Sequence, residues 1–69
     1  MEREEFEEKV EEIEQLQAYF VVHMHSQVIY AEDYRIENDE SGHEKLYLYC
    51  CTYLIVEMNL EDVDEVDYS

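Results

Sequence analysis

Three histidines offer the most specific metal chemistry in this sequence. His23 and His25 lie two residues apart, so a regular strand would place both imidazoles on one face, where they could bind zinc together with His43 or a cysteine. Ligands of structural zinc sites usually come as two close pairs, and His43 stands alone in the sequence. We therefore expect half-exposed strand histidines, no metal and no cofactor. A metal-binding module on these three histidines is the weakest alternative.

Two adjacent cysteines, Cys50 and Cys51, are the other chemically distinctive pair. Neighbouring cysteines hardly reach ordinary disulfide geometry, so we expect reduced thiols and a cytoplasmic protein. In a regular strand the two side chains point to opposite faces of the sheet. A net charge of −16 disfavours a thiolate and argues against a nucleophilic cysteine. The chain also lacks the common catalytic motifs, and its 69 residues leave little room for a large cleft, so we do not expect an enzyme.

The N-terminal segment has the spacing of an amphipathic helix. Phe6, Val10 and Ile13 recur at intervals of four and three residues. Neither glycine nor proline interrupts the segment. We therefore predict a helix over residues 2–17 whose apolar stripe packs against the rest of the fold.

After this helix the apolar side chains alternate with a period of two, which is typical of strands. The predicted strands cover residues 19–30, 34–37 and 45–57. The first is long, so we expect a bulge or break near Ser26-Gln27, or a bend at Glu32-Asp33. The only glycine, Gly42, lies where a hairpin loop needs a positive φ, and residues 59–69 are either a short helix or an acidic tail. These elements predict a single α+β domain over residues 1–69, with the N-terminal helix packed on an antiparallel sheet of about three strands and an acidic C-terminal segment.

One face of the predicted sheet has no element left to cover it. An exposed apolar strip of this size usually marks an interface, so we expect a homodimer through this face or through the sheet edge. The alternative is that the tyrosine hydroxyl groups make this face acceptable to water. The residues that we assign to the dimer interface are Tyr19, Val21, Tyr47, Tyr49, Tyr53 and Ile55.

The acidic residues are the strongest functional signal. Twenty Asp and Glu residues face only four Lys and Arg residues, which excludes direct binding of nucleic acid or of an anionic membrane surface. Glu4, Glu8 and Glu12 lie four residues apart and repel one another on a helix. Such a departure from local stability rules indicates a functional surface. The carboxylates that we expect to bind Arg and Lys of a partner are Glu4, Glu8, Glu11, Glu12, Glu61, Asp62, Asp64, Glu65 and Asp67.

In length, charge and layout the chain resembles the small acidic DNA-mimic proteins with which bacteriophages inhibit host DNA-binding proteins and defence systems. Within this group, the Bacillus phage type of inhibitor that targets the histone-like protein HU is nearest in size and kind. The resemblance involves no motif. It implies an inhibitor that occupies the cationic nucleic-acid-binding site of a basic host protein, in the host cytoplasm. The alternative is a small acidic structural or regulatory homodimer whose charge serves only solubility or salt adaptation.

Overall fold

The computed structural model describes residues 1–68, and these form one α-helix, six strands and one short 3₁₀ turn. The predicted α+β class, with an N-terminal helix packed on antiparallel sheet, is confirmed. The strands form two sheets where about three strands in one sheet were expected. The elements in chain order are α1 (Arg3–Glu14), β1 (Phe20–Met24), β2 (Gln27–Ala31), β3 (Asp33–Asn38), β4 (Glu44–Cys50), β5 (Tyr53–Asn59), the 3₁₀ turn (Leu60–Asp62) and β6 (Val63–Tyr68).

Helix α1 buries the predicted stripe of Phe6, Val10 and Ile13 but ends at Glu14, three residues earlier than expected. The backbone N–H groups of the two residues at positions 16 and 17 both donate to the Ile13 carbonyl oxygen, which closes the last turn. No basic side chain stands in that turn, where the helix dipole favours a cation, and the stripe has no further apolar residue until Phe20. The helix therefore ends before Phe20, which is the first residue of β1.

The first sheet, sheet A, has the strand order β2-β1-β6 and is antiparallel. The strand predicted over residues 19–30 is a hairpin, because the chain turns at His25-Ser26 with His25 at φ 56°. Residues 59–69 were expected to be a helix or a tail. Instead, the 3₁₀ turn leads into β6, which pairs with β1 and contributes the buried Val63 and Val66 to the core. Ser69 lies outside the described residues.

The second sheet, sheet B, has the order β3-β4-β5. The strand predicted over residues 45–57 is also a hairpin, with Cys51 at φ 55° and Thr52 at φ 68° in its two-residue turn. The strand predicted over residues 34–37 is β3. Gly42 adopts a φ of 86° in the loop between β3 and β4, which confirms the predicted turn position.

The core lies between α1 and the inner faces of both sheets. Phe6 of α1, Phe20 of β1 and Tyr34 of β3 meet edge to face, with ring centroids 5.0 Å apart for Phe6 and Tyr34 and 6.3 Å apart for the other two pairs. These three rings join the helix to both sheets. Within residues 1–68, the helix is too short and too polar to cross a membrane.

Candidate functional site

The nine carboxylates predicted to bind a partner form what we call the acidic surface. Four lie on α1, two in the 3₁₀ turn and three on β6, and all except the half-buried Asp62 are exposed. The α1 members lie on the helix surface away from the buried stripe, and α1 packs against β6. The structure therefore brings together two segments whose nearest members, Glu12 and Glu61, are 49 residues apart in sequence.

The two halves of the acidic surface point in different directions. Glu65 pairs with His23 and Asp67 pairs with Val21, so both carboxylates lie on the face of sheet A that is turned away from the core. Asp64 is the extra residue of a β-bulge, and its carboxylate accepts a hydrogen bond from the His25 backbone N–H at 2.7 Å. A partner must therefore wrap around the junction of α1 and β6 to contact both halves.

The cations of this chain do not neutralise the acidic surface. Arg3 pairs with Glu7 at 2.7 Å, and Arg35 pairs with Glu37 at 3.5 Å. The remaining ion pair among residues 1–68 joins the loop residues 39 and 43, so none of the three includes a member of the acidic surface. The nine carboxylates thus form no ion pair within residues 1–68, and the nearest fixed cation on the 3₁₀ turn, the Met1 ammonium, donates to backbone carbonyl oxygens of Leu60, Glu61 and Val63.

The residues assigned to the dimer interface do not share one face, because each long predicted strand is a hairpin. Val21 lies in the central strand of sheet A and is buried, with 4 % of its surface exposed, so its expected exposure is wrong. Tyr19 precedes β1 and is partly exposed. Tyr47 and Tyr49 are half-buried on the outer face of sheet B. Tyr53 and Ile55 are exposed and lie at the start of β5.

We call the outer surface of sheet B, defined by Arg35, Tyr47, Tyr49 and Glu57, the tyrosine face. The guanidinium carbon of Arg35 lies 4.9 Å from the ring centroid of Tyr47 and 5.9 Å from that of Tyr49. These distances are typical of cation–π contacts. Arg35 therefore holds the two rings in place and offsets the negative charge of this face.

The three histidines considered as metal ligands are dispersed. His25 lies in the β1–β2 turn, and His43 lies in the β3–β4 loop beside Asp39. In the described part of the chain, no group of three candidate ligands within 4.8 Å contains either of them. His23 instead has Glu65 and Asp67 as neighbours on the outer face of sheet A, with candidate ligand atoms within 4.8 Å of one another.

The two cysteines come together with Glu32 in what we call the thiol cluster. The Oε1 atom of Glu32 accepts hydrogen bonds from both thiols at 3.3 Å and from the Cys51 backbone N–H at 3.1 Å. The two Sγ atoms are 3.9 Å apart. The expectation that Cys50 and Cys51 point to opposite faces is wrong, because the positive φ of Cys51 takes it out of the strand conformation. Glu32 was not among the expected site residues.

The thiol cluster changes the protonation of its members. Hydrogen bonds from the Cys50 and Cys51 thiols lower the pKa of Glu32. The hydrogen bond to this carboxylate, with burial as the second cause, raises the pKa of Cys50 to about 11. The charge of Glu32 also raises the pKa of Tyr19. Cys50 is therefore a neutral thiol at physiological pH, and it is not an activated nucleophile.

An open groove of about 790 Å³ lies beside the thiol cluster. The sequence led us to expect little room for a cleft of this size. The groove exists because the β4–β5 turn stands next to the β2–β3 connection. Its lining residues are Glu14, Glu32, Asp33, Tyr34, Arg35, Tyr49, Cys51 and Thr52.

Comparison of the chain with protein-family models, with curated proteins and with solved structures finds no match in any of the three. The likeness to DNA mimics therefore remains one of composition and layout. Function has to be inferred from the charge and geometry of this chain.

Proposed function

We propose that this chain is a DNA mimic of the bacteriophage type, which inhibits a basic host DNA-binding protein by occupying its cationic nucleic-acid-binding site. The observation that supports this proposal is the acidic surface, which has eight exposed carboxylates out of nine and no ion pair within residues 1–68. Arg and Lys side chains of a partner would supply the missing countercharges. Each carboxylate then takes the place of a phosphate.

The charge density of the molecule is close to that of a duplex. Double-stranded DNA carries one negative charge per roughly 1.7 Å of axis. The longest dimension of the protein is 35 Å, and a duplex of that length carries about 20 charges. With a net charge of −16, the protein presents roughly three quarters of that charge. A field of this strength steers a cationic partner into fast, salt-sensitive association.

The helix displays part of this charge on a rigid support. Glu4, Glu8 and Glu12 are four residues apart, which is about 6 Å along a helix axis. Successive phosphates of one DNA strand are about 3.4 Å apart along the axis, so the helix spacing is close to the roughly 6.8 Å between every second phosphate. Because Phe6 and Val10 fix the helix against the core, this spacing is maintained when a partner binds.

Displacement of DNA from a basic protein tests the proposal. The full chain is titrated into a complex of fluorescent duplex DNA with a purified histone-like protein, and in parallel into a complex with uracil-DNA glycosylase. We expect release of the DNA from at least one of them, and a steep loss of affinity between about 50 and about 200 mM salt. A basic protein without a nucleic-acid site serves as the control for simple charge attraction.

The alternative, acidity for solubility alone, gives different results in the same experiment. It predicts no displacement of DNA, or equal binding to every basic protein including the control. Changing the four α1 members of the acidic surface to Gln keeps their size while it removes their charge. Under the DNA-mimic proposal this variant releases much less DNA. Displacement that persists in high salt and in this variant would contradict the proposal.

A further inference from the structure

We propose that Glu32, Cys50 and Cys51 form a binding site for one divalent metal ion of the zinc class. The two thiolates and one carboxylate oxygen supply three ligands, and the fourth position opens toward the adjacent groove. This site lies outside the acidic surface, so it does not depend on the proposed DNA mimicry. It also differs from the three-histidine site considered from the sequence.

The distances within the thiol cluster fit a tetrahedral ion. Zinc binds sulfur at about 2.3 Å and carboxylate oxygen at about 2.0 Å, so two sulfur ligands of a tetrahedron are about 3.8 Å apart and a sulfur and an oxygen are about 3.5 Å apart. The corresponding distances are 3.9 Å between Cys50 Sγ and Cys51 Sγ and 3.3 Å from each sulfur to Glu32 Oε1. Three atoms therefore already occupy one face of a zinc tetrahedron.

The backbone holds these ligands in place. Cys51 and Thr52 both have positive φ, the conformation that a type I′ hairpin turn requires. A β-branched residue such as Thr52 adopts this conformation only at an energetic cost. Because of this turn, both sulfur atoms of the adjacent cysteines contact Glu32. In a regular strand the two side chains would point to opposite faces. Glu32 is fixed from the other side, because its backbone N–H donates to the Tyr49 carbonyl oxygen at 2.9 Å.

The ligand types select the ion. Thiolates favour zinc and related borderline or soft ions, whereas calcium and magnesium require sets of oxygen ligands. Binding releases the two S–H protons to solvent and puts the metal in their place, so the two thiol hydrogen bonds are replaced by metal–ligand bonds while the Cys51 backbone N–H still donates to Glu32. The ion would tie the β4–β5 turn to the β2–β3 connection, 18 residues away in sequence. We therefore expect bound zinc to raise the melting temperature.

Cobalt titration of the full chain, kept reduced by a phosphine, tests the site. Co²⁺ in a thiolate site gives sulfur-to-metal charge-transfer absorption in the near ultraviolet, and tetrahedral Co²⁺ gives intense visible bands. We expect both, with one Co²⁺ per chain, and loss of both when Zn²⁺ is added. No charge-transfer band with the reduced protein would overturn the proposal.

Substitutions assign the ligands. The double variant Cys50→Ser/Cys51→Ser should lose the charge-transfer band. Glu32→Gln should keep the charge-transfer band but lower the apparent affinity for Co²⁺ at least about tenfold. Substitution of residues that only hydrogen-bond to metal ligands already lowers metal affinity by about that factor. Circular dichroism shows whether each variant keeps its fold. Unchanged affinity for Co²⁺ in Glu32→Gln would show that the carboxylate is not a ligand and would contradict the proposed site.

Two control variants separate this site from other acidic groups. His23→Ala disrupts the group of half-buried His23 with exposed Glu65 and Asp67, which offers only nitrogen and oxygen ligands. Glu40→Gln removes a solvent-exposed carboxylate from the β3–β4 loop. Both should leave the charge-transfer band and the affinity unchanged. Loss of Co²⁺ binding in His23→Ala, with binding retained in the double cysteine variant, would overturn the proposal.

Discussion

Carboxylates on the acidic surface form no ion pair within residues 1–68, whereas charged groups on and beside sheet B have partners within the fold. Arg35 pairs with Glu37 and lies over the ring of Tyr47, and Glu32 accepts three hydrogen bonds in the thiol cluster. The same residue types thus serve two purposes. In sheet B charge helps to hold the fold together, while the like charges four residues apart on α1 oppose stability and remain exposed.

The largest effect should follow from reversing the helix carboxylates. Glu4→Lys, Glu8→Lys, Glu11→Lys and Glu12→Lys together should weaken partner binding at least about a hundredfold, because cationic groups of the partner then meet like charges. The matched control is the pair Glu37→Gln and Glu57→Gln in sheet B, which should leave binding nearly unchanged. Displacement of labelled DNA measures both. Equal losses in the two variants would show that the acidic surface has no special role.

The tyrosine face should control self-association. We propose a homodimer through this face and the exposed start of β5, with twice the monomer mass of 8.4 kDa in sedimentation at micromolar concentration. Tyr49→Glu or Tyr53→Glu should shift the protein to monomer, because each places an unpaired charge in an apolar contact. Tyr30→Glu, which changes an exposed tyrosine of sheet A, should leave the dimer intact. A monomeric parent protein would contradict this prediction.

Removing the carboxylate of the thiol cluster should accelerate alkylation of Cys50. The hydrogen bond to Glu32 is the main cause that raises the pKa of Cys50 to about 11. Glu32→Gln removes that cause, so the pKa falls, the thiolate fraction at pH 8 rises, and the rate with iodoacetamide increases severalfold. The measurement uses a Cys51→Ser background and a chelator, so that neither the second thiol nor a metal contributes. An unchanged rate would show that the carboxylate does not control this thiol.

The smallest effect should come from salt. Between about 0.01 and about 0.15 M ionic strength the Debye length falls from about 30 to about 8 Å, which screens the repulsion among exposed carboxylates. The melting temperature of the parent should therefore rise by a few °C, roughly the shift that a small domain shows for less than 1 kcal/mol. The fourfold Lys variant carries a net charge of −8 where the parent carries −16, since each reversal adds two charges. Its rise should be smaller, and a fall in the parent's melting temperature would refute the repulsion argument.

Periodicity was enough to predict the helix and its buried stripe, and the single glycine marked the β3–β4 loop correctly. The β4–β5 turn was missed, and the β1–β2 turn was placed one residue late, because neither contains glycine. Cys51-Thr52 and His25-Ser26 carry none of the Asn-Gly or Asp-Gly signals of two-residue hairpins. The β4–β5 hairpin consequently looked like one long strand, the expected break in the first strand was not recognised as a hairpin turn, and one sheet was expected where two are present.

The thiol cluster could not be predicted for the same reason. Two adjacent cysteines place their side chains on the same side only if a turn interrupts the alternation of a regular strand. Nothing in the sequence distinguishes Glu32 from the other 19 acidic residues as their partner. A usable signal was present in the unusual length of the predicted strand over residues 45–57, because a break in it had to fall near its middle. The exposure of the acidic residues, in contrast, could be predicted from the sequence, because charged side chains stay in contact with water in almost any fold.

The packing of Phe6 determines when the helical part of the acidic surface is formed. A helix of 12 residues with like charges four apart is not stable alone in water. It forms because the Phe6 ring packs against Phe20 of sheet A and Tyr34 of sheet B. The unfolded chain carries the same net charge but no ordered array of anions. The regular spacing of carboxylates on the helix is therefore a property of the native state alone, because it depends on the packing of that ring against both sheets.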